Sequence, residues 1–339
     1  MKKIISIIIC VLMFTTVLSG CTKSEGKNTG ANTSDSEKEP MTIKLAHVVN
    51  EKDGFHIAAM KFKELVEEKT EGKVKIELYP NATLGDERTL LKGMQMGTVD
   101  MGIITNGPVA NFVEEIAVFE LPFLFSSPEE AYKVLDGSVG KELLGKLENV
   151  NLKGLAYAER GFRNLTNSKK PVNSAADVEG LKIRVMENPV YIDTFKSLEA
   201  NAVPMAWTEA LTALQQGTID GQENPVNVIH SFKLHETQKY LSMTRHTYAP
   251  AILVMSKKKF EELPTDVQGI FEESAQRAAE YERKINAENE AKQLEELKAS
   301  GMEIVEPDLE SFKKAVEPVY EKYKDKYGEY IEKINEDLK

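Results

Sequence analysis

The sequence predicts an α/β fold built as two similar lobes joined by one long helix. Three observations predict it. Strand and helix patterns alternate from Thr42 onward, a short unit recurs after 120 residues, and one helical pattern near the C-terminus runs without a break for more than thirty residues.

The N-terminus stands apart from that fold. Lys2 and Lys3 precede the apolar run Ile4 to Val17, and Leu18-Ser19-Gly20-Cys21 follows. A basic start, an apolar segment too short to span a bilayer and small residues before a cleavage point describe a secretory signal in residues 1–20. Cys21 is either the residue that would carry lipid or incidental to a plain signal peptide. Residues 21–40 are polar and hold no large apolar side chain, which predicts a flexible tether. The remaining cysteine, Cys10, leaves with the signal, so the mature domain has no thiol for a disulfide or for catalysis.

In the domain, Thr42 to His47 alternates as a strand, and Gly54 to Thr70 carries a helical apolar stripe through Phe55, Ala58, Ala59, Phe62, Leu65 and Val66. Val74 to Leu78 reads as a strand, Arg88 to Met96 as a helix stopped by Gly97, and Val99 to Ile104 as the next strand. GMQMGTVD (Gly93 to Asp100) recurs in type as ALQQGTID (Ala213 to Asp220), each a helix end, a glycine fit for a left-handed cap and a strand start. Asn188-Pro189 and Asn224-Pro225 each place Asn beside Pro after an apolar strand, as a helix cap and first turn would. Helix N-termini at strand ends offer free N–H groups to anions. Thr265-Asp266-Val267-Gln268 resembles a capping box, and the helix from there to Ser300 predicts a spine across both lobes. A strand at Met302 to Val305 and a helix at Leu309 to Ile331 close the chain.

The formal charge of −11 argues against non-specific nucleic-acid binding, which needs clustered Lys and Arg. An anionic ligand would depend on a few placed donors. Leu181, Ile183 and Val185 alternate as a packed face, which leaves Arg184 on the other face as a solvated residue or a carboxylate clamp; the neighbouring Asn188 turn favours the clamp. Arg163 opens another apolar stretch and alone reads as a surface residue. Trp207, the only tryptophan, is core or a platform for a ligand, and His47 ends the first strand facing a cleft or hydrogen-bonded in place. His230 and His235 lack a third ligand, so no metal site and no cofactor are expected. No G-x-S-x-G, H-E-x-x-H, P-loop or G-x-G-x-x-G motif is present, and no catalytic residue stands out.

The run GFRNLTNSKKPV, LKIRVMENP, PMAW and ALQQGTIDGQENP, with TIKLAH, YPNATLGDER, FELPFLF and ELPTDVQ in order around it, resembles the solute-binding proteins of TRAP transporters (tripartite ATP-independent periplasmic) of the C4-dicarboxylate-binding type. Leu-Ser-Gly-Cys likewise resembles a lipobox, which implies lipidation of Cys21. The resemblance implies a two-lobed periplasmic-binding-protein-like fold, lobe I spanning 41–161 plus 250–289 and lobe II 162–249 plus 290–339. It implies Arg184 as the carboxylate-binding arginine, supported by Asn224 and Arg163, with Trp207 and Asn188 in the pocket and His47 and Glu87 meeting the ligand from the first lobe. The Ile104-Thr105-Asn106-Gly107 turn departs from the pattern, having no acidic residue where some members place one. The expected activity is capture of a small organic acid, a hexuronate before a C4-dicarboxylate or other hydroxy acid, and delivery to TRAP permease membrane subunits. The chain would act as a monomer, extracytoplasmic and held to the outer face of the cell membrane, or in the periplasm, by its lipid alone. A ligand-sensing lipoprotein is the alternative in another class.

Overall fold

The computed structural model describes residues 40–339; the signal, Cys21 and the tether up to residue 39 lie outside the described residues. Strand β1 (Met41–Ala46), helix α1 (Gly54–Lys69), β2 (Val74–Tyr79), α2 (Glu87–Met96) and β3 (Met101–Thr105) follow the expected order within two residues at each boundary, and β3 runs into the short helix α3 (Asn106–Val109). Helices α4 (Pro128–Leu135) and α5 (Ser138–Lys146) lead to the long strand β4 (Leu152–Asn167). Next come β5 (Lys182–Val185), α6 (Pro189–Ser197), β6 (Asn201–Pro204), α7 (Trp207–Gln216) and β7 (Gly221–Asn224), then α8 (Val226–Ser231) and the long β8 (Tyr240–Ser256). The chain ends in α9 (Lys257–Glu261), α10 (Thr265–Ala299), β9 (Glu303–Val305) and α11 (Leu309–Leu338).

The strands form one sheet in the order β2-β1-β3-β8-β4-β7-β5-β6, with β9 beside β8. Its two ends are built alike. In each, the first strand pairs in parallel with the two that follow it, β1 with β2 and β3, and β5 with β6 and β7. The recurring sequence unit marks this duplication: Gly97 ends α2 at φ 72° and Gly217 ends α7 at φ 65°, both left-handed. A glycine pays no Cβ penalty there.

Antiparallel β4 and β8 tie the two ends together. β8 pairs with β3 through Ala251–Met255, and β4 pairs with β7 through Asn164–Asn167. Their mutual ladder shifts register three times, between Gly154 and Ala156, Glu159 and Gly161, and Arg163 and Leu165. Such bulges bend a strand pair and raise its twist.

Helix α10 runs 35 residues and packs on α1, β4 and α8, so it reaches elements from both ends of the sheet as the apolar spacing predicted. The expected capping box does not form. Pro264 takes the cap position, and Gln268 Nε2 donates instead to the Leu263 carbonyl at 2.9 Å. Proline has no N–H for the reciprocal bond. Helix α11 extends to Leu338, beyond the expected Ile331, because Tyr327, Tyr330 and Ile334 stay buried along its inner face.

Two glycines test this geometry in different ways. At Gly217 an added Cβ meets nothing within 4 Å, so Gly217→Ala should cost only the left-handed backbone penalty, about 1–2 kcal/mol. At Gly221 the Cβ would fall 2.0 Å from the Thr166 carbonyl oxygen in the β4–β7 ladder, so Gly221→Ala should be the more destabilising in chemical denaturation. Equal losses would contradict the close strand approach.

Candidate functional site

The two ends of the sheet face each other across a narrow cavity at the carboxyl ends of their parallel strands. In α/β sheets this is where ligands bind, because chain turns and helix starts collect there. Val48 follows β1, Pro108 and Asn111 follow β3, and Glu87 and Arg88 open α2. From the opposite side come Arg184 on β5, Glu187 after it, and Met205 and Trp207 after β6.

Arg184 is the pivotal group. The face that alternation leaves for polar residues is here an interior one: Lys182 is exposed, yet Arg184 is only 4% exposed. Its Nε and Nη2 both donate to the Met205 carbonyl, at 3.0 and 2.7 Å, and among the described residues no carboxylate pairs with it. That leaves the outer edge of the guanidinium for a ligand. Burial pushes its pKa down to about 10, although Glu223 and Glu87 pull the other way, so the folded chain holds this positive charge under strain. The Trp207 ring lies 5.6 Å from the guanidinium carbon, and its other side meets Phe232 edge-on. The Trp207 indole N–H is buried and has no partner among the described residues.

Glu87 enters from the other wall. Asp86 caps α2 by accepting from the Thr89 N–H at 2.7 Å, which fixes Glu87 as the first helical residue. Glu87 Oε1 then accepts from the Thr105 N–H at 2.6 Å. The turn that lacked an acidic residue in sequence thus receives a carboxylate from α2. Burial raises the Glu87 pKa; the Thr105 bond and the charges of Arg160 and Arg184 oppose the shift.

Arg184, Trp207 and Glu87 therefore meet at one cavity, whereas Arg163, Asn224, Asn188 and His47 do not line it. Arg163, 1% exposed, is not the surface residue its local sequence suggests: it pairs with Glu223, and its Nη2 also donates to the Glu223 carbonyl. His246 Nε2 lies 3.3 Å from the same carboxylate. Burial works against both charges, but the pairing wins, raising the Arg163 pKa and, with His246, lowering that of Glu223.

Asn224 is not a helix cap. It stays in β7 opposite Asn164, its Nδ2 donates to Gln222 Oε1 at 2.5 Å, and Pro225 caps α8. Strand pairing holds Asn224 extended, so the helix starts one residue later than expected. Asn188 does cap α6, accepting from the Val190 N–H at 2.8 Å, while its Nδ2 donates to the Gly107 carbonyl at 3.1 Å. His47 is fully buried with Nε2 3.2 Å from His56 Nδ1, and burial, then His56, push its pKa down to about 3.

Residues the sequence did not single out complete the region. Asn111, Arg88, Glu187 and the Met205 carbonyl belong to the cavity wall. Beneath it, buried Glu120 accepts from Tyr191 Oη at 2.5 Å and from Asn106 Nδ2 at 2.7 Å. Burial pushes its pKa up to about 7. FELPFLF contains Glu120 inside an apolar run, the one local signal that could have flagged it.

An α/β protein whose two sheet ends enclose a buried guanidinium at their strand termini has the build of a solute-binding protein. Residues 45–326 match the family "Bacterial extracellular solute-binding protein, family 7", and the chain belongs to it as a TRAP-type periplasmic binding protein. The 2,3-diketo-L-gulonate-binding periplasmic protein YiaO of Escherichia coli (strain K12) is 40% identical over 272 residues, 80% of this chain and 83% of that protein. A TRAP periplasmic solute-binding protein from Polaromonas sp. JS666, crystallised with D-erythronate, has a TM-score of 0.85 at 40% identity, covering 88% of this chain and 98% of that one. Another from Pseudomonas putida F1, with bound D-glucuronate, has a TM-score of 0.84 at 31% identity, covering 87% and 97%.

Two outcomes follow from the buried charges. Arg163→Ala leaves Glu223 buried without its partner and should lower unfolding stability by roughly 3–5 kcal/mol in denaturant titration. An unchanged midpoint would show the pair to be dispensable. Glu120 has a folded pKa near 7, above its ordinary value of 4.5, so the native state binds the extra proton. Its contribution is full below pH 4.5 and is lost as pH rises through 7, by about 3 kcal/mol. Glu120→Gln should remove that part of the stability–pH profile between pH 4.5 and 7.5, and a profile identical to the parent's would contradict the assignment.

Proposed function

We propose that the protein captures a sugar acid, a hexuronate such as glucuronate or galacturonate, by closure of two lobes and delivers it to a TRAP permease. One observation carries the reading: Arg184 is a buried cation whose only partner among the described residues is a carbonyl, so a ligand carboxylate supplies the missing charge. In this role Arg184 is the clamp and Trp207 the wall, its indole N–H available to a ligand oxygen. Glu87 accepts from ligand hydroxyls. Arg163, Asn224, Asn188 and His47 act from behind the wall, by holding charges and turns in place. The lobes are 41–161 with 250–289, and 162–249 with 290–339, and the mature chain is anchored through Cys21.

A hydroxylated monoacid fits better than a dicarboxylate. Glu87 and Glu187 both line the cavity, and a second carboxylate on the ligand would meet like charge there. The bound erythronate and glucuronate of the two related structures are hydroxylated monoacids, and YiaO is named for a related sugar acid.

Thermal-shift screening against glucuronate, galacturonate, erythronate, succinate and malate tests the reading. Stabilisation is expected from sugar acids; stabilisation by succinate or malate alone would overturn it. Arg184→Ala should weaken the best ligand by about 2–5 kcal/mol in calorimetry, with the fold retained. Unchanged affinity would reject the clamp.

A further inference from the structure

The turn after β3 and the turn after β5 belong to opposite ends of the sheet, with β8, β4 and β7 between their strands. Even so, the two turns share two hydrogen bonds, and Arg88 at the start of α2 adds an ion pair to the second turn. Asn111 Nδ2 donates to the Glu187 carbonyl at 2.7 Å, Asn188 Nδ2 donates to the Gly107 carbonyl at 3.1 Å, and Arg88 Nη1 lies 3.6 Å from Glu187 Oε1. Met186 packs so tightly on Gly107 that a Cβ there would come within 3.0 Å of its Cε.

We infer that this seam is a latch, with Asn111 as its clasp on Glu187, that holds the cleft shut and sets how long a ligand stays. The inference rests on the proposed binding role and adds its timing. Three features support it. Every contact joins the two ends of the sheet, so motion at the β4–β8 bulges breaks all of them together. Asn111, Arg88 and Glu187 all line the cavity, so the seam forms part of the wall a ligand must pass. Finally, two of its three polar contacts are surface ones: Asn111 is exposed, and the Arg88 and Glu187 side chains are 52% and 40% exposed.

Exposed hydrogen bonds and ion pairs are worth little each, since water replaces them readily. That suits a contact made and broken in every cycle. The deeper links have other duties. Asn188 also caps α6, and Tyr191 meets the buried Glu120. Asn111 donates otherwise only to the Pro108 carbonyl of its own turn, at 3.2 Å, so its removal changes the seam and leaves both sheet ends intact.

Asn111 is thus a positioning residue, tested by a rate and a distance rather than by stability. The domain 40–339 contains no cysteine, and exposed Lys92 on α2 and Lys196 on α6 can be replaced by Cys for spin labels. Pulsed electron–electron resonance without ligand should show Asn111→Ala shifted toward longer separations than the parent. Stopped-flow release of D-glucuronate should be roughly fivefold faster in the variant, with little change in association rate. Glu187→Gln, which keeps the main-chain carbonyl, should fall between the two. Identical ligand-free distance distributions in parent and Asn111→Ala would overturn the latch. A shifted distribution in a protein that does not bind D-glucuronate would uphold the latch and overturn the ligand reading, so the two fail separately.

Discussion

The site depends on how one carboxylate divides itself between two guanidiniums. Arg163 on β4 and Arg184 on β5 lie on either side of β7 in the sheet, and β7 carries Glu223. Glu223 commits to Arg163 and takes His246 as a second neighbour. A buried charge needs a partner, and a pair made with extra hydrogen bonds is costly to break. Arg184 is therefore left, among the described residues, with the Met205 carbonyl alone. Under the proposed function, a ligand carboxylate completes the partners of this cation.

The surrounding architecture makes that arrangement usable. Two parallel sheet ends of the same design bring their strand termini face to face, and the bulged β4–β8 pair that joins them is bent and twisted at three points. Polar contacts then appear at two levels. Glu120 and Tyr191 meet in the dry interior, where desolvation makes the bond sensitive to protonation. Asn111 and Glu187 meet at the rim, where water keeps the bond weak and reversible.

Much of the fold was legible because it rests on local rules. Helical spacing placed α1 and α10, alternation placed β1 and β2, and the paired glycines at 97 and 217 revealed the duplication before any strand was paired. The caps were read less well. Asn188 caps its helix as expected, while Asn224 and the Thr265 segment do not. At these sites ladder pairing and a proline override a pattern that is sound when taken alone.

The sequence by itself determined which residues could hold an acid: an arginine on a strand beside Asn-Pro turns and one tryptophan nearby. Only the tertiary structure decided which of them share a cavity. Alternation shows that Arg184 avoids one apolar face, but not whether the opposite face meets water, a ligand or a buried carboxylate. That outcome depends on strand order, which brings Glu223 beside Arg163 across 60 residues of chain and sets Glu87 opposite Arg184. Local patterns report hydrophobicity along the chain, whereas charge compensation in a dry interior depends on distances between segments the chain separates.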